Sequence, residues 1–159
     1  MSNRHLIRTA IVCVSLFGLT GCGIGFNPGT NQRVSGNGAN QNVGDLEIRN
    51  ATIVVDPSDP STGTLLVSIY NKGDQADSLS SVNSQEFESQ IGSALPIETN
   101  QALSVGLSSD EKIYLASTTL SLIPGTYVET TFTFENAPAT TLPILVNKNT
   151  GIYQDVELP

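Results

Sequence analysis

Few residues in this chain have the chemistry for nucleophilic, redox or soft-metal work. They are Cys13, Cys22, His5 and Met1, with no second His or Met and no Trp. None of the four lies beyond position 22. Nucleophilic catalysis needs a nucleophile with a base in reach, most often His. Zinc and iron–sulfur centres need thiolates or imidazoles. The long body of the chain, from Gly23 to Pro159, offers neither. What remains there are hard oxygen donors: carboxylates, amides, hydroxyls and carbonyls.

The segment that holds the reactive residues reads as an address. Met1–Arg8 carries Arg4 and Arg8 without an acid, and Thr9–Leu19 (TAIVCVSLFGL) is uncharged and largely apolar. That run is too short for the roughly 20 residues that a membrane-spanning helix needs. It does match the apolar region of a secretory signal. Leu19-Thr20-Gly21-Cys22 follows and resembles the bacterial lipobox, in which the Cys thiol takes a diacylglycerol and the chain is cut before it. Residues 1–21 are therefore expected to be a lipoprotein signal peptide, and Cys22 the lipidation site. Losing Arg4 and Arg8 from the 7 basic residues leaves 5 against 15 acids. Two or three acyl chains, at ~0.8 kcal/mol per buried methylene, hold a protein on a membrane without a transmembrane helix. The partner so implied is the outer face of the cell membrane. The strongly acidic balance excludes nucleic acid, which needs a basic footprint.

Residues 22–43 are rich in Gly, Asn and Gln, with Arg33 as the one charge. They read as the lipidated Cys and a flexible tether, in which Val34 and Val43 are the residues able to add to an edge strand. From 44 to 157 the pattern becomes short β-type runs broken by turns, one domain's worth of chain. Asp45–Val55 places Leu46 and Ile48 on one face, then slips parity near Asn50-Ala51, which predicts a bulge or a strand buried on both faces. Thr64–Asn71, Phe87–Ile91, Leu103–Leu107 and Ile113–Leu115 are further strand candidates, with room for one helical turn within Ser84–Ser93. Pro124-Gly125 predicts a type II turn. Thr126–Glu135 alternates cleanly: Val128, Thr130, Phe132 and Phe134 inward, Tyr127, Glu129, Thr131 and Glu135 outward. Pro143, within Thr140–Asn147, implies an edge strand or a bulge. The expected fold is all-β, an antiparallel Greek-key sandwich.

Leu122–Glu135 followed by Leu142–Val146 resembles the closing hairpin of the PCu(A)C-type periplasmic copper chaperones. Val43–Ala51, and Gly63–Asn71 leading into Gly73-Asp74 and Asp77-Ser-Leu79, resemble the branch of that family found as surface lipoproteins of actinobacteria. The resemblance spans roughly 43–153 and implies a cupredoxin-like, immunoglobulin-like sandwich outside the cytoplasmic membrane. It also implies a Cu(I) site of Met and His, including a His-x-Met before the strand that precedes the Pro-Gly turn. The corresponding stretch is taken as Ala102–Leu107, which has neither residue. The metal function therefore transfers to no residue, and no cofactor is expected.

Other constellations are weak. A Ser–Lys dyad rests on one Ser-x-x-Lys spacing, Ser109–Lys112, which Lys72 and Lys148 do not repeat and which carries little weight alone, and coincidental carboxylate pairs are inevitable among 15 acids. Asp56–Asp59 and Asp74–Asp77 are acidic turns, read as turn caps or, alternatively, as Ca²⁺ donors. Tyr70, Tyr114, Tyr127 and Tyr153 read as cross-strand packing or, alternatively, a binding surface. The expectation is a non-enzymatic envelope lipoprotein, with binding or structural work and no identifiable protein partner. The alternative is metal handling, through a partner or through the acidic loops.

Overall fold

The computed structural model describes residues 38–107, 109–118 and 122–159, so the signal segment, Cys22 and most of the expected tether lie outside the described residues. Ten strands are described: β1 (Ala39–Val43), β2 (Leu46–Asp56), β3 (Asp59–Asn71), β4 (Asp77–Asn83), β5 (Phe87–Gln90), β6 (Leu95–Ile97), β7 (Ala102–Val105), β8 (Ile113–Ser117), β9 (Tyr127–Phe134) and β10 (Thr140–Lys148). A short 3-10 turn at Gly151–Tyr153 is the one helical piece among the described residues.

The strands form a curled sheet in the order β5-β8-β3-β2-β10-β9-β4-β6, with β7 on the edge of β3 and β1 on the edge of β2. Side chains from both halves share one core, with Ile48, Ile53, Leu65, Ile69 and Leu115 on one side and Leu79, Val82, Phe132 and Ile144 on the other. That is the expected sandwich. One ladder departs from antiparallel pairing: β10 runs parallel to β2 over Leu145–Lys148 and Thr52–Val55, and so joins the two halves.

The parity slip in β2 is a bulge. Asn50 sits at φ 54°, and the β2–β3 register shifts between Arg49 and Thr52. Leu46 and Ile48 enter the core before it, and Ala51, Ile53 and Val55 after it. Beyond the bulge the opposite face is covered too, since Val54 packs with Leu66 and Val156 in a second apolar cluster bordered by Tyr153 and Leu158. Thr64 Oγ1 donates to the Glu157 carbonyl at 2.6 Å and ties the C-terminal segment to that outer face. Both readings of the β2 pattern thus hold, the bulge at Asn50 and burial on both faces beyond it.

The Pro124-Gly125 turn forms as expected, with Gly125 at φ 92° and Thr126 N donating to Ile123 O at 3.1 Å. Pro143 is accommodated differently from expectation. β10 lies between two neighbours, but Pro143 pairs across to Glu129 of β9, and β2 joins the other edge only from Leu145 onward. The missing N–H therefore falls where no ladder needs it.

Sequence pattern missed β4 and β6, and allowed β1 only as an edge strand through Val43. β1 lies in residues expected to be tether; it pairs along β2 from Val43↔Leu46 to Ala39↔Ala51, so the sheet begins before residue 44. β4 and β6 are Ser- and Pro-containing; β4 pairs with β9 on one edge and β6 on the other. Ser84–Ser93 carries β5 rather than a helical turn, because Phe87–Gln90 completes the ladder on β8.

Candidate functional site

The acidic turns are built as caps. Asp56 Oδ1 accepts from Ser58 N at 2.8 Å and Ser58 Oγ at 2.6 Å. Those two bonds, hydroxyl first, hold its carboxyl below the usual carboxylate range. Asp59 accepts from the backbone and hydroxyl of Ser61 in the same way. Asp77 is buried. Its Oδ1 accepts from the backbone of Ser78 (2.7 Å), Glu135 (3.1 Å) and Asn136 (3.0 Å), and Oδ2 from Ala137 N (2.8 Å). This carboxylate locks the start of β4 to the β9–β10 turn. Its lone pairs already face N–H groups, which is the opposite of a vacant cation site. Among the described residues no three His, Cys, Asp or Glu side chains are placed to hold a metal.

Ala102–Leu107 is β7 and the turn after it, with Leu103 and Val105 buried. Gly106 sits at φ +96°, and a Cβ there would come within 2.1 Å of Leu66 Cδ2. The strand that precedes the Pro-Gly turn is β8. The segment entering it is therefore Gly106–Lys112, a few residues later than the stretch matched from sequence, and it too lacks His and Met. Lys112 Nζ donates to the carbonyls of Gly106 (2.8 Å) and Ser109 (2.5 Å), fixing this turn with a cation.

The four tyrosines do not make one surface. Tyr70 lies on β3, and Tyr127 projects outward from β9 in the other half, 61% exposed. Tyr153 borders the second apolar cluster. Tyr114, on β8, has its hydroxyl pushed up by burial and then by the Glu157 carboxylate.

Among the described residues, two of the open cavities lie on opposite halves. One, of about 390 Å³, lies over β2, β3 and β7, with Leu66, Leu107, Ile152 and Tyr153 among its lining. The other, of about 350 Å³, is lined by polar residue types: Asn83, Ser84, Gln85 and Glu86 from β4 and the turn after it meet Glu129 and Thr131 of β9 and Thr141 of β10. Strand pairing puts these side chains together, with Asn83 opposite Thr131 and Thr131 opposite Thr141, their hydroxyls 2.7 Å apart. The sequence showed Glu129 and Thr131 to be outward. It gave no signal that Asn83 would join them, because β4 lacks a clear alternation.

No family model and no curated protein matches this sequence. Solved structures do match. The chain is similar to the apo PCuAC domain from PmoF1, with a TM-score of 0.60 and 17% identity over 69% of this chain and 98% of that one. It is similar to the copper-bound PCuAC domain from PmoF2, with a TM-score of 0.58 and 19% identity over 69% and 97% of the two chains. The apo form of that second domain gives a TM-score of 0.59 at 19% identity.

Proposed function

From a chain that has the fold of the PCuAC domains, we propose a lipid-anchored extracytoplasmic protein whose β-sandwich does binding or structural work at the cell envelope. It is non-enzymatic and lacks the soft copper site. The donor set carries this reading. Cu(I) selects thiolate, thioether and imidazole ligands, whereas Met1, His5 and Cys13 fall in the expected signal peptide and Cys22 is the expected lipidation site. Hard oxygen donors remain, and the best placed of them, Asp77, is saturated by backbone N–H groups. One similar domain is copper-bound, but function lives in the site and not in the fold. The residues here do not fit that ion, so no copper transfer step is derived.

Anaerobic titration of the mature protein against a chromogenic Cu(I) chelator tests this. The chelator is expected to keep its copper. One equivalent withdrawn by the protein overturns the reading.

A further inference from the structure

The geometry points to the polar cavity on the outer face of β4, β9 and β10 as a binding site for a neutral polysaccharide, gripped by Glu129, Asn83 and the Thr131–Thr141 pair with Tyr127 as stacking platform. About 350 Å³ lies within the range of small-ligand sites, roughly 300–1,000 Å³. The lining mixes amides, hydroxyls and carboxylates and contains no Lys or Arg. Two carboxylates without a cation repel an anionic polymer. They suit vicinal hydroxyls, because an ionised carboxylate is acceptor-only and takes two O–H donors side by side. Glu129 is exposed and forms no ion pair among the described residues, so its acceptors are open. In the Thr131–Thr141 pair one hydroxyl donates to the other. The second proton stays available to a ligand oxygen.

An apolar platform adjoins these groups. Tyr127 and Glu129 are two residues apart on one strand face, hence about 6.6 Å apart along it. Pro143 pairs opposite Glu129 and is likewise exposed. A rigid ring 61% exposed beside hydrogen-bonding groups is a surface on which the C–H face of a sugar ring can stack. Except for the Ser84–Glu86 turn, these groups stand on paired strands, so little ordering cost attaches to binding. The site stands on its own geometry; only its access to envelope polysaccharide rests on the proposed location.

Affinity electrophoresis of the mature protein, in detergent gels containing soluble dextran or mannan, tests it. At least one of these neutral polymers is expected to retard the protein more than fivefold over a polymer-free gel. Tyr127→Ala and Glu129→Gln should each abolish the retardation, and Tyr127→Phe should keep it. Both sites are exposed, so the thermal midpoints of all three variants should stay at the parental value. No retardation by either polymer overturns the site, as does retardation that survives both disabling changes. Equal retardation by polygalacturonate also overturns it, since the site excludes anions. The readout is independent of acylation at Cys22, so this site and the anchoring can fail separately.

Discussion

On β9, Phe132 and Glu129 differ in the face they take. Phe132 is fully buried within the core, and Glu129 is exposed. Phe132→Ala is expected to cost about 3–5 kcal/mol by leaving a cavity, and Glu129→Ala under about 0.5 kcal/mol. Urea unfolding of the two variants checks this; equal costs would mean that the strand register is wrong. Asp77 supports the fold through its four N–H contacts. Replacing it by Ala removes that acceptor from all four, with Glu135 N retaining Ser78 O, at about 2–3 kcal/mol, while Asp77→Asn keeps one acceptor oxygen and should cost less. Tyr114 gives a pH-dependent signature. Its hydroxyl holds its proton more tightly in the folded chain, through burial and the nearby Glu157 carboxylate. The sign follows: its stabilising contribution is complete below the ordinary tyrosine value and is lost as pH rises through the raised one. Alkaline absorbance titration should show a late phenolate that Tyr114→Phe removes.

At the scale of elements, β1 and the β2 bulge act together. β1 brings Val43 into burial, and Asn40 Oδ1 accepts from Asn50 N at 2.7 Å, bracing the bulge. A chain that starts at Gly44 is therefore expected to be less stable by about 1–3 kcal/mol than one that starts at Gly38. Matched thermal melts decide it, and coincident midpoints would mean that β1 contributes nothing. Asn50→Val should destabilise by about 1–2 kcal/mol, because a β-branched residue is strained at that positive φ. Strong alternation made β9 legible from sequence to within a residue, and the Pro124-Gly125 turn likewise. β1, β4 and β6 carry too few apolar residues to announce themselves. They are strands because a neighbour supplies the ladder.

For the molecule as a whole, the anchor and the domain make separable claims. Wild-type protein should partition into detergent, and Cys22→Ser should partition into the aqueous phase or stay unprocessed. Aqueous wild type would end the lipoprotein reading. None of this depends on the sandwich, since the lipobox-like segment precedes it.

The sequence by itself determined what depends on residue identity and local order. It set the absence of imidazole and methionine thioether beyond Cys22, the lipobox-like segment, the β class and the inward face of Thr126–Glu135. Those properties need no partner strand, because period-two burial and side-chain chemistry are written along one stretch of chain. Tertiary structure decided what depends on pairing. The parallel β2–β10 ladder joins segments about 90 residues apart, and Asp77 reaches N–H groups up to 60 positions away. Asn83, Thr131 and Thr141 share a cavity only because β4, β9 and β10 lie side by side. No local pattern encodes such neighbours; they emerge when the chain buries its apolar faces and each edge finds a ladder.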